Sequence, residues 1–238
     1  MKALTVYYRI SDASSRKERL PKCTKQYCLQ NSLKEFYEFS QAFNIIADSV
    51  QENTRDFLVE LSKEYKKISV ERFNWSSGSK SFLYTLERAI SELEIGSPVY
   101  FLEDDYLHRT NSYKILMEGL TIADYVTLYD HPDKYINATE PYGNPEISGG
   151  GENTKVLLTA SSHWKLTNST TDCFATNTDI LSKDKKIWHK INSDYLFDYK
   201  TFVYLRKETG RTIASPIPGY STHAELRFLT PLTNWDDI

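Results

Sequence analysis

Along the first hundred positions the apolar residues change period repeatedly, and each change marks a new element. "ALTVYY" (3–8) is a continuous apolar run of strand length. A polar stretch with Pro21 follows, and then Leu29, Leu33, Phe36 and Tyr37 share one face at helical spacing. "FNIIA" (43–47) predicts a second strand. Phe57, Leu58, Leu61 and Tyr65 predict a helix over 53–66 with Thr54 as candidate cap. "ISVERF" (68–73) predicts a third strand and "NWSSGSKS" a turn. Phe82, Leu83, Leu86, Ala89, Ile90 and Leu93 form the apolar stripe of an amphipathic helix. "PVYFL" (98–102) predicts a fourth strand.

Repeated βα units with crossovers of this length imply a parallel sheet covered by helices on both faces. The expected fold class is α/β, one domain over residues 1–238 with a Rossmann-like, mostly parallel sheet. The second half is less regular. It predicts a helix over 110–122, strand "YVTLY" (125–129) and a long loop over 131–153 that holds three of the eight prolines and four of the nine glycines. Strands "KVLLTA" (155–160) and "TDCFAT" (171–176), helices over 178–190 and 194–209 with Gly210 as C-cap, and a short strand "RTIAS" (211–215) complete the pattern before an irregular tail.

Composition narrows the class of protein. The 238 residues are 40% hydrophobic and 26% charged, ordinary for a globular chain that buries a sizeable core. A net charge of −3 supplies no bulk attraction to nucleic acid or an anionic membrane. No apolar run approaches the roughly 20 residues that span a bilayer, and "MKALTVYYRISD" lacks the apolar core of a secretory signal. Cys23, Cys28 and Cys173 fit neither a disulfide framework nor zinc-site spacing. A cytoplasmic protein with reduced thiols is expected.

The sharpest chemical feature is "VYFLEDDYLH" (99–108), where a buried-type strand ends in Glu103, Asp104 and Asp105. Three neighbouring carboxylates repel one another, and the next basic groups in sequence are His108 and Arg109. In parallel α/β sheets ligands bind beyond the carboxyl ends of the strands. Carboxylates without cysteine or histidine companions suit Mg²⁺ or Mn²⁺, which bind one or two of them together with substrate phosphates. A solvated acidic turn is the plain alternative.

The order of these elements resembles the GT-A glycosyltransferases, family 2-like members in particular. "FNIIADSV" resembles that family's second strand, whose terminal aspartate contacts the donor base. "FNWSSGSKSFLYTLERAIS" resembles the turn and helix before its metal strand, and "VYFLEDDY" the strand with its D-x-D motif. "DYKTFVYLRKETGRTIASPIPGYSTH" resembles, more thinly, the segment carrying the catalytic carboxylate and a later histidine. There Phe197 stands where the family has an acid before Asp198. The tail "GYSTHAELRFLTPLTNW" resembles small bacterial and viral glycosyltransferases.

The resemblance implies a nucleotide-sugar half (1–106) and an acceptor half (107–238). It also implies a Mn²⁺- or Mg²⁺-dependent, inverting transfer from a nucleoside-diphosphate sugar to a glycan or other hydroxyl acceptor. On this chain Asp105 and His223 become the metal ligands, and Tyr8, Arg9, Asp48, Glu103 and Asp104 the nucleotide-sugar residues. Asp198 is the first candidate for the general base and Asp172 the second. His163 and Trp164, in "SSHWKLTNS", offer the polar and aromatic mix that an acceptor sugar needs, and Trp164 reads equally as core.

Two other readings remain at this stage. One is a sugar-phosphate nucleotidyltransferase, against which the basic stretch "YYRISDASSRKERLPK" lacks the glycines of such enzymes' first loop. The other is a non-catalytic carbohydrate-binding domain on the same scaffold. "SGGGEN" lacks the Lys-Ser/Thr of a P-loop, and no G-x-G-x-x-G follows the first strand.

Overall fold

A computed structural model describes residues 2–13 and 18–238; residues 14–17 of the basic stretch lie outside the described residues. The chain runs β1 (Leu4–Ser11), α1 (Lys25–Phe36), β2 (Ser40–Asp48), α2 (Glu52–Glu64), β3 (Ile68–Phe73), α3 (Gly78–Glu92) and β4 (Pro98–Glu103). β1 pairs in parallel with β2 and β4, and β2 with β3. Successive strand side chains point to opposite faces, which is why continuous apolar runs bury on both. Val6, Tyr8, Tyr100 and Leu102 pack with Leu29, Leu33 and Phe36 of α1 and Leu58 and Leu61 of α2. Their neighbours Tyr7, Val99 and Phe101 pack on the other face with Phe82, Leu86 and Ala89 of α3.

The second half supplies β5 (Tyr106–His108), α4 (Ser112–Gly119), β6 (Tyr125–Val126), β7 (Val156–Leu158), β8 (His163–Leu166), β9 (Phe174–Asn177), α5 (Thr178–Asn192), α6 (Asp198–Thr209), β10 (Ile213–Ile217) and β11 (Ser221–His223). The main sheet has the order β3-β2-β1-β4-β9-β6-β10-β8-β7. β9 runs antiparallel to β4 and β6, and β8 antiparallel to β10 and β7, while the other strands share one direction. The expected α/β fold with a mostly parallel sheet and helices on both faces is therefore present, in mixed form. Among the described residues no helix is long and apolar enough to cross a membrane.

Local departures from the sequence pattern have local causes. "TDCFAT" is a strand only from Phe174, because Thr171 and Asp172 adopt left-handed backbone at φ 50° and 64°. Strand 125–129 shortens to Tyr125–Val126. The helix expected over 110–122 ends at Gly119, where a Cβ would lie 2.6 Å from the Trp164 ring. The helix expected from 194 begins at Asp198, after Phe197 donates its N–H to the Asn192 side chain at 2.7 Å. Thr54 lies inside α2 rather than capping it. Gly210 closes α6 in left-handed backbone, as expected, with its N–H on Arg206 O at 3.1 Å.

Part of the tail is ordered into β11, which pairs antiparallel with β5 and sets His223 opposite Tyr106. This two-stranded unit is anchored from beneath by His108. Its ring is buried, lies edge-on to Phe36 and places Nε2 3.0 Å from the Tyr100 hydroxyl. Burial depresses its pKa to about 3. The folded state thus keeps the ring neutral, while the unfolded chain takes up a proton as pH falls through roughly 6.5. The unfolded state then binds more protons, so stability is complete above that value and declines below it. His108→Gln keeps a polar atom near Tyr100 and removes the titration. Between about pH 8 and pH 5 the wild type should lose about 2 kcal/mol more than this variant in chemical unfolding. Parallel pH profiles would contradict the assignment.

Candidate active site

The carboxyl ends of β1, β2 and β4 and the amino end of α3 enclose a cleft of about 270 Å³. Arg9 and Ser11 come from β1, Asp48 from β2, Ser77, Gly78 and Ser81 from the α3 end, and all three acids from the end of β4. Thr171, Asp172 and His223 close the far side.

Each acid of the run has its own cation, and every one arrives from far away in sequence. Glu103 is paired with Arg9, 94 residues earlier, whose second arm donates to Gly78 O at 2.6 Å. Asp104 accepts from Lys25 Nζ at 2.5 Å and from the Ser11 N–H at 2.9 Å. Burial pushes the Asp104 carboxyl upward, with Asp105 adding to the effect and Lys25 opposing it. Asp105 accepts from Arg19 Nη2 at 2.8 Å, and His223 Nε2 lies 3.1 Å from the same Oδ2. The sequence neighbours serve elsewhere: His108 faces the core and Arg109 stacks over Tyr220.

The structure brings Arg9, Asp48, Glu103, Asp104, Asp105, Asp172 and His223 together around this cleft. Asp48 does so indirectly. Its carboxylate accepts the N–H groups of Trp75, Ser76 and Ser77 at 2.6–3.1 Å and so shapes the turn that opens α3. Tyr8 is wholly buried beneath the cleft and is absent from its lining, which departs from its expected place beside the nucleotide. Its side chain belongs to the face covered by α1 and α2.

Asp105 and His223 suit a small divalent cation. Two adjacent ligands of an octahedral ion at about 2.1 Å are about 3.0 Å apart. The 3.1 Å between Oδ2 and Nε2 is close to that spacing. Among the described residues no group of three His, Cys, Asp or Glu side chains forms a complete protein cage. This donor set is of the type completed by phosphate oxygens and water.

Asp198, the first candidate for the base, lines the groove beside the cleft, but its carboxylate is already engaged. It is buried at the start of α6, and its carboxylate accepts from Thr170 N, Thr170 Oγ1, Thr171 N and Asp172 N at 2.5–3.1 Å. Both oxygens are thus committed to the turn whose left-handed residues would otherwise be strained. Asp172, held by that turn, borders the cleft and also an adjoining groove lined by His131, Asp133, Asn144, Phe197 and Lys200. Burial acts to raise the Asp133 pKa, but His131 and Lys134 outweigh it and bring it down to about 2.

The two residues expected at the acceptor lie elsewhere. Trp164 is completely buried, donates to Thr159 Oγ1 at 2.9 Å and packs on Gly119. A large indole amid apolar neighbours is core, and its strand places it there. His163, the preceding residue of β8, is exposed and borders neither the cleft nor the groove. Sequence reasoning also missed Arg19, Lys25 and Thr171. Arg19 and Lys25 sit in a polar stretch with no periodicity, and only the unusual density of acids gave a sign that cations must converge on them.

No family model and no curated protein matches the chain. Solved structures do. GalNAc-T7, solved with UDP, GalNAc and Mn²⁺, superposes with a TM-score of 0.62 at 12% identity over 93% of this chain. The chain spans 43% of the length of that relative. The 4-diphosphocytidyl-2C-methyl-D-erythritol synthase from Anaerococcus prevotii superposes with a TM-score of 0.52 at 10% identity, over 99% of this chain and 92% of its own. A second 4-diphosphocytidyl-2C-methyl-D-erythritol synthase structure gives 0.51 at 10% identity, over 100% of this chain and 95% of its own. The chain therefore has the GT-A-like α/β fold that these structures share.

The contacts of Asp198 generate a stability prediction. Asp198→Asn turns an amide NH2 toward a set of donors and leaves buried N–H groups unpaired. It should cost about 2–4 kcal/mol in urea unfolding. An unchanged midpoint would remove the clamp from the account.

Proposed function

We propose that this chain is a metal-dependent glycosyltransferase that moves a sugar from a nucleoside-diphosphate sugar to an acceptor hydroxyl, with inversion. The observation that carries the reading is the pairing of Asp105 with His223 in a cleft beyond the carboxyl ends of parallel strands, with Asp172 at its border with a second groove. The amino end of α3 supports it, because the helix dipole favours negative charge there.

Asp105 and His223 would hold Mn²⁺ or Mg²⁺, which when bound offsets the charge that grows on the leaving diphosphate. Arg9 and Glu103 form the floor beside it, Asp104 braces the β1 end, and Asp48 fixes the turn against which the nucleoside lies. Asp172 is the general base of this reading. It takes the proton of the acceptor hydroxyl as that oxygen bonds to the anomeric carbon and the carbon–diphosphate oxygen bond breaks. Asp198 positions it by gripping the turn. The donor occupies the cleft and the acceptor the groove, so residues 1–106 serve mainly the first and 107–238 mainly the second.

Nucleotidyl transfer is the second reading, supported by the near-complete mutual coverage with the synthase. Products separate them. With Mn²⁺ and a panel of nucleoside-diphosphate sugars, the enzyme should release nucleoside diphosphate and free or transferred sugar. Pyrophosphate formed from a nucleoside triphosphate and a sugar phosphate would establish the second reading instead, and absence of both would leave a binding domain. Asp172→Asn should lower turnover by about 10²–10⁴-fold with donor affinity unchanged. Wild-type turnover in that variant would dismiss Asp172 as the base.

A further inference from the structure

Arg19 is held where it meets the same carboxylate oxygen that His223 approaches. Its Nη2 lies 2.8 Å from Asp105 Oδ2, and His223 Nε2 lies 3.1 Å from that atom. This is a built contact. Arg19 forms a β-bridge with Glu225, flanked by Leu20 N–H on Ala224 O and Leu226 N–H on Glu18 O, both at 3.0 Å. Ala224 in turn donates to Asp105 O at 2.8 Å. One small patch of paired backbone therefore carries Arg19, His223 and Asp105 together. The other two pairs of the acid run differ in kind. Arg9 also holds Gly78, and Lys25 serves an Asp104 that is tied to the Ser11 N–H, so each doubles as a brace.

We propose that Arg19 is a resident counter-cation of Asp105, which a divalent metal must displace to bind. The inference rests on the reading of Asp105 and His223 as the metal-holding pair. A guanidinium and a divalent ion repel each other, so the two compete for one carboxylate oxygen. Without metal, Arg19 neutralises a carboxylate that would otherwise add to the repulsion along the run. Arg19 lines the cleft, and while it is paired with Asp105 its Nε is buried with no hydrogen-bond partner among the described residues. An arriving diphosphate supplies acceptors in a geometry that a guanidinium matches. Metal and diphosphate therefore favour each other's binding, and the metal alone binds weakly because it competes with Arg19.

The test is a titration with Mn²⁺ alone, followed by electron paramagnetic resonance of the free ion, on wild type, Arg19→Gln, Arg19→Lys and Asp105→Asn. Arg19→Gln should bind Mn²⁺ roughly 5- to 150-fold more tightly than wild type, the usual span of such coupling. Arg19→Lys keeps the charge and should stay close to wild type, and Asp105→Asn should lose binding. If Asp105→Asn loses binding but Arg19→Gln binds no more tightly than wild type, the competition is wrong and the metal pair stands. If no protein binds Mn²⁺ at all, the metal pair fails and the inference with it. Far-ultraviolet circular dichroism of each variant reports whether its fold is retained, and Arg19→Lys repeats the comparison with the backbone bridge and charge preserved.

Discussion

Three carboxylates in a row at the end of a buried strand are tolerable only because cations converge on them, Arg9, Lys25 and Arg19 among the described residues. That convergence organises the molecule. β1 must lie beside β4 for Arg9 to reach Glu103, and the segment leading into α1 must return over the strand ends for Arg19 and Lys25 to reach Asp105 and Asp104. Such partly buried pairs add little net stability once desolvation is counted, but removing one partner leaves an uncompensated charge. Their effect is therefore to fix geometry, and the geometry they fix is the mouth of the cleft.

The acids are not equivalent once paired. Glu103 and Asp104 fasten β1, β4 and the start of α3 and α1 to one another. Asp105 is the one that also meets an imidazole, delivered by the short β5–β11 unit from the far end of the chain. A second carboxylate, Asp198, works in the same manner across the cleft: it satisfies three consecutive N–H groups and holds two residues in left-handed backbone. The reactive groups of this account are thus presented by charged residues that do no chemistry themselves.

Much of this was legible in the sequence. Periodicity located the first four strands and three helices because each buries its apolar face directly on its sequence neighbours. "VYFLEDDY" located the cleft because a strand end in a parallel sheet is a topological position. What periodicity cannot report is non-local. β9 enters antiparallel between β4 and β6, and nothing in "FATN" distinguishes that insertion from another parallel strand. Trp164 reads equally as a sugar platform or as core until Gly119 is seen to pack on it. Asp198 has the spacing of a catalytic acid, yet spacing along a helix does not reveal that four donors already occupy it. Asp172, the second candidate in the sequence, moves ahead of Asp198 on its place between two cavities.

On this reading the acid run presents one carboxylate, Asp105, together with His223 as the seat of a divalent ion. Crystals soaked with Mn²⁺ and a nucleoside diphosphate, measured at the manganese absorption edge, address it most directly. The expected result is one anomalous peak within about 2.3 Å of both Asp105 Oδ2 and His223 Nε2. A peak seated on Glu103 or Asp104, or none beside His223, would contradict it.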